Sequence, residues 1–132
     1  MPSTPMSFAK GDVVFDVTWP GASRGQLALF SEATEDPNPI HVDEDFAHRA
    51  GFPTVLQQGP MTTAHFARLI EEHAGRDRLE VLDVNFLAPV FPEEKLRLVA
   101  SVTEAGPRVT CALVATKEDG TETARGEAIF RA

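Results

Sequence analysis

Asp36 and His41 are the side chains of this sequence best placed to move protons, and they bracket the run Asp36-Pro37-Asn38-Pro39-Ile40-His41. Histidine titrates near neutrality and can give or take a proton, while a neighbouring carboxylate can accept one or orient the ring. Pro37 and Pro39 each restrict the backbone, so the loop between the two side chains is expected to be stiff enough to hold them as a pair. The plainer reading of the same run makes Asp36 a turn residue, Asn38 the cap of a following helix with Pro39 at its first position, and His41 a helix-surface residue. Asn38 and Pro39 fit those structural roles, and Asp36 and His41 fit the chemical one.

A second chemical element follows at Gly59, which stands at the cap of an apolar helical pattern running from Pro60 to about Ala74 and stopped by Gly75. Backbone N–H groups at a helix N-terminus, aided by the dipole, suit a developing oxyanion. Gly59 has no side chain to block a ligand. Pro60 has no N–H, which leaves Gly59 and Met61 as the backbone donors. An ordinary helix cap is the competing role for Gly59.

These groups need rigid elements to carry them. Phe8 to Trp19 contains the alternating stretch Val13-Val14-Phe15-Asp16-Val17 and ends at Pro20-Gly21, which predicts a strand and a turn. Ser23 offers a cap for a helix over Arg24 to Ala33. Asp43, Glu44 and Asp45 favour a short helix beginning after His41 and closed by Gly51. The apolar face of the longer helix is drawn from Met61, Ala64, Ala67, Leu69 and Ile70. Four strands follow, Leu79 to Leu87, Lys95 to Glu104, Arg108 to Lys117 and Glu122 to Arg131, broken by Pro89, Pro92, Ala105-Gly106-Pro107 and Asp119-Gly120. Leu96, Leu98, Ala100 and Val102 fall every second position, as a strand with one buried face requires. One strand, then helices, then a four-strand meander suits an α+β domain with an antiparallel sheet wrapped around a central helix.

With 132 residues, 42% of them hydrophobic, the chain fits one domain over residues 1–132 with a core that needs no disulfide or metal. The single Cys111 lies in the alternating run Val109-Thr110-Cys111-Ala112-Leu113 and is expected to be a buried structural thiol. The N-terminal MPSTPMSFAKG has no apolar targeting core and no stretch is long enough to span a membrane, so a cytoplasmic protein is the expectation. Twelve basic against twenty acidic residues give a net charge of -8, which disfavours a nucleic-acid partner. His48, His65 and His73 form no metal-ligand spacing, and no glycine-rich phosphate loop is present, so no metal or cofactor is expected. His48 and His73 read as helix-surface residues, and His65 as packed or pocket-lining.

The Asp-Pro-Asn-Pro-Ile-His run resembles the core signature of the MaoC-like (R)-specific enoyl-CoA hydratases, a hot-dog-fold family whose pattern is Asp-x-Asn-Pro-hydrophobe-His. Its flanks agree, with a hydrophobe-rich helix over Leu27 to Ala33 before it and Phe46-Ala47 after the acidic stretch. Phe86-x-x-Pro89-Val90-x-Pro92, followed by Glu93-Glu94, is similar to the family's strand-turn segment. The resemblance implies a single hot-dog domain whose buried central helix starts at Pro60. It implies reversible hydration of trans-2-enoyl thioesters to (R)-3-hydroxyacyl thioesters, with Asp36 and His41 holding the catalytic water. Gly59 would bind the thioester carbonyl, with Asn38 counted beside it on the substrate-binding side. The implied partners are an acyl-CoA or acyl carrier protein thioester and a second copy of the chain, with substrate between subunits. Both carriers are anionic and would need a local basic patch, for which Arg49, Arg68, Arg76, Arg78, Lys95 and Arg97 are candidates.

Two departures from the family pattern stand out. Gln58-Gly59-Pro60 replaces the usual His-Gly-Met, and Ala64 falls where well-studied hydratases carry a serine, leaving Thr62, Thr63 or His65 as substitutes. Two other functions compete. Many hot-dog proteins are acyl-CoA thioesterases that use an acidic residue on the central helix, yet Glu71 and Glu72 fall late in this one. A non-catalytic acyl-thioester-binding subunit of a heteromer is the third reading, supported only by the two departures.

Overall fold

Alternation in Leu96, Leu98, Ala100 and Val102 buries all four side chains on one face of a central strand, and the fold grows from that face. The computed structural model describes residues 7–132, and the expectation drawn from MPSTPM lies outside them. The strands are β1 (Val13–Trp19), β2 (Leu79–Phe86), β3 (Leu96–Glu104), β4 (Arg108–Lys117) and β5 (Glu122–Arg131), and the helices are α1 (Arg24–Ala33), α2 (Glu44–Arg49) and α3 (Gly59–Ala74). Every strand pairing is antiparallel, in the order β1-β3-β4-β5-β2. β1 and β2 therefore form the two open edges.

The sheet wraps around α3. Phe66, Leu69, Ile70 and Ala74 pack into one core with Leu96, Leu98, Leu113, Ala128 and Phe130 from the strands. Truncating a buried phenylalanine such as Phe66 costs about 3–5 kcal/mol, a large part of what a domain of this size has to lose. The helix meets the core through Phe66 and Thr62 as well as Met61, Leu69 and Ile70, whereas Ala64 is exposed and Ala67 only partly buried. A methyl contributes too little apolar area to decide which way a helix turns, and Phe66 decides it.

A smaller cluster of Ala22, Leu27, Ala47, Val55 and Met61 holds α1 and α2 against the start of α3. Ser23 caps α1 in a reciprocal capping box with Gln26, and Asp43 caps α2, whose first turn carries Glu44 and Asp45. β1 begins at Val13 rather than Phe8. Cys111 is buried, and burial pushes its thiol up to about 11, which leaves it inert near neutral pH.

Candidate active site

Asn38 and Pro39 do what short-range chemistry asks of them. The Asn38 side chain accepts from the Ile40 N–H at 3.1 Å and caps a single 3-10 turn, Pro39–His41, with Pro39 at its first position. His41 thus ends a separate turn ahead of α2. On the other side, Glu35 takes φ +55 and reverses the chain at the end of α1, so that the Asp36 N–H donates back to the Ser31 carbonyl at 2.9 Å. A non-glycine residue in this left-handed region costs about 1–2 kcal/mol, offset here by the hydrogen bonds around it. The Asn38 N–H donates to Asp36 Oδ1 at 3.0 Å.

The two turns bring the predicted pair together, with His41 Nε2 3.5 Å from Asp36 Oδ2. The His41 ring is 13% exposed and the Asp36 side chain 35%. Nδ1 of His41 lies 2.7 Å from the Leu56 carbonyl oxygen. A carbonyl can only accept, so Nδ1 carries a proton, and whenever the ring is neutral it is Nε2 that turns a lone pair toward Asp36. Neither Nε2 nor the carboxylate then has a hydrogen to offer the other. Two acceptors at this spacing are suited to one water that donates a hydrogen to each and keeps its own lone pairs free for attack.

Gly59 is the first residue of α3, and Gln58, one residue earlier than the cap expected from sequence, takes the cap position. The Met61 N–H donates to the Gln58 carbonyl at 3.1 Å, which removes Met61 from the candidate donors. The Gly59 N–H is left at the open end of the helix, where the dipole favours negative charge. The ring of Phe86, from the end of β2, lies against Gly59 so closely that a Cβ there would stand 2.7 Å from it. A cavity of about 340 Å³ opens beside this contact, lined by Gln57, Gly59, Thr62, Phe86 and Val90. Asp36 lines a different cavity, of about 520 Å³, with Ser31, Pro37 and Val42. The stretch Leu56–Gly59 joins the two halves, since Leu56 holds His41 at one end and Gly59 starts α3 at the other.

Several expectations change in three dimensions. Gln58 is 1% exposed and bonded to α1, so it is a buried side chain. The signal for it in the sequence is a long polar side chain directly ahead of a buried helix. Ala64 faces a cavity shared with Trp19, Phe30 and His65, away from Gly59. His65 is both packed and pocket-lining, with its ring 4.2 Å from that of Trp19, and burial, then the Arg68 charge, lowers its affinity for a proton. Among the basic candidates, Lys95 and Arg97 share a cavity with Lys117, but Arg97 pairs with Asp16 and Lys117 with Glu94.

The profile of the family described as "MaoC like domain" matches residues 7–124. The chain belongs to that family. Within it, the chain is 36% identical over 78 residues to the mouse peroxisomal multifunctional enzyme type 2, a match covering 57% of this chain and 10% of that one. It is 30% identical over 81 residues to the mitochondrial 3-hydroxyacyl-[acyl-carrier-protein] dehydratase of Arabidopsis thaliana, covering 61% of this chain and 49% of that one. The chain thus spans about half or less of the curated relatives it matches. Superposition on the (R)-hydratase from A. caviae involved in PHA biosynthesis gives a TM-score of 0.87 at 22% identity, covering 95% of this chain and 97% of that one. The fold of this MaoC-like domain is the hot-dog arrangement. Among the described residues no helix is long and apolar enough to cross a membrane, and no three His, Cys, Asp or Glu side chains are grouped to hold a metal ion.

Proposed function

We propose that this MaoC-like domain catalyses the reversible hydration of trans-2-enoyl thioesters to (R)-3-hydroxyacyl thioesters. The observation that carries the reading is the pairing of two hydrogen-bond acceptors, His41 Nε2 and Asp36 Oδ2, 3.5 Å apart with the His41 tautomer set by Leu56. The pair holds one water and takes a proton from it as the oxygen attacks the β-carbon. Charge moves to the thioester oxygen, which the Gly59 N–H stabilises at the end of α3. The proton is then delivered to the α-carbon, so hydroxyl and hydrogen from one water have been added. Dehydration is the same path reversed. Asn38 acts on this site by holding the 3-10 turn that carries His41 and by its N–H to Asp36.

The dehydratase name of the Arabidopsis thaliana relative supports the substrate class, and the likeness to an (R)-hydratase supports the stereochemistry. The substrate is an acyl-CoA or acyl carrier protein thioester. Two open sheet edges and the exposed Val81, Phe86 and Leu87 at one of them support a homodimer with substrate bound between subunits. Residues 1–132 act as one unit in this reading, and the cytoplasm is its proposed location.

Loss of the conjugated enoyl-thioester absorbance with crotonyl-CoA and longer enoyl-CoAs, with chiral analysis of the product, tests the proposal. Hydration to the (R) product is expected, and release of free thiol instead would move the chain to the thioesterases. Glu71 and Glu72 argue against that outcome, because they are exposed and lie about 18 Å along α3 from Gly59.

A further inference from the structure

Gln58 is the most buried polar side chain among the described residues. Its Nε2 donates to the Leu27 carbonyl and to Ser31 Oγ, both at 2.8 Å. Because the Leu27 carbonyl can only accept, it fixes which end of the amide is nitrogen. Oε1 has no hydrogen-bond partner among the described residues. Two neutral hydrogen bonds are offset by one buried carbonyl without a donor, so the side chain adds little net stability. It does add directional hydrogen bonds to the apolar packing of Leu27 and Met61 that already joins α1 to the start of α3. Its backbone leads directly into Gly59, its side chain grips α1 at Leu27 and Ser31, and the Ser31 carbonyl receives the Asp36 N–H at 2.9 Å. His41 is tied to the same stretch through Leu56 at 2.7 Å.

We propose that Gln58 is a positioning residue that sets the placement of Asp36 relative to the Gly59 N–H, an inference that rests on the hydration reading above. That reaction needs the water over the β-carbon while the carbonyl oxygen is held at the helix end, so the spacing of the two groups has to match the enoyl thioester. A misplacement of about 1 Å at such a site costs about 100-fold in rate. Leu56 registers His41 against Gly59, and Gln58 registers Asp36 through α1.

The test uses the full chain carrying Gln58→Met, which keeps the reach and removes both donors, in the wild-type and Asp36→Asn backgrounds. In the wild-type background kcat is expected to fall about 10- to 100-fold, with KM changed less than about 3-fold. In the Asp36→Asn background the same substitution is expected to cost less than about 3-fold, because its effect passes through Asp36. Gln58→Glu is expected to regain activity relative to wild type as the pH is lowered, when a protonated carboxyl can donate again. Amide hydrogen exchange at the Asp36 N–H is expected to quicken in folded Gln58→Met. Gln58→Asn, which keeps the amide and shortens its reach, replaces Gln58→Met if that variant does not fold. Equal losses in both backgrounds, or unchanged exchange at Asp36, would overturn the proposal. If the wild-type protein hydrates no enoyl thioester, the hydration reading fails, and the exchange measurement still decides whether Gln58 holds Asp36.

Discussion

His41 donates through Nδ1 to the Leu56 carbonyl oxygen at 2.7 Å, and this one bond decides what the opposite nitrogen can do. With Nδ1 occupied, Nε2 of the neutral ring meets Asp36 as an acceptor, which is the arrangement the proposed hydration uses. The plainer reading of the run, in which His41 merely decorates a helix, does not account for a ring that is only 13% exposed and bonded to a carbonyl fifteen residues away.

Asp36→Asn and His41→Gln are each expected to lower kcat for enoyl-thioester hydration by about 100-fold or more, the usual range for a positioned acid or base. Together they are expected to cost little more than either alone, since both act on one water. Steady-state kinetics on folded variants, verified by circular dichroism, checks this.

Gly59→Ala places a methyl against the Phe86 ring, 2.7 Å from its nearest atom, and beside the N–H proposed to receive the thioester oxygen. Phe86 is 52% exposed and free to rotate away, so the melting temperature is expected to fall by only a few degrees. Turnover is expected to fall about 10- to 100-fold. Adding Phe86→Ala is expected to restore the melting temperature without restoring turnover, which separates crowding from lost oxyanion contact.

At Gly126, opposite Val84 where β5 pairs with β2, a Cβ would stand 2.1 Å from the Asp83 carbonyl oxygen. Backbone cannot swing aside as a side chain can, so Gly126→Ala is expected to destabilise the fold by about 2–3 kcal/mol. Urea unfolding should show a lower midpoint with an unchanged slope.

Burial, with a smaller contribution from Arg68, depresses the affinity of His65 for a proton below the usual 6.5. The unfolded chain therefore takes up this proton first on acidification. The neutral form's contribution to stability is complete above about pH 6.5 and is lost as pH falls through that value toward the lower folded-state one. His65→Phe, which keeps a ring against Trp19, is expected to flatten this part of the acid limb in melting temperatures measured between pH 8 and pH 5.

The sequence by itself determined most of the elements and singled out Asp36 and His41 as a candidate pair, because both are local matters. Period-two alternation marks the strands, Ser23, Asp43 and Gly75 bound the helices, and two prolines hold Asp36 and His41 within a few residues of each other. Tertiary structure decided the rest. It put β2 at an edge so that Phe86 reaches Gly59, chose Phe66 over Ala64 for the core, and buried Gln58 against α1. It also chose the tautomer of His41, through a carbonyl fifteen residues away. Hydrogen bonds and contacts between distant segments leave no period or spacing in a chain, and they exist only once the sheet has closed around its helix.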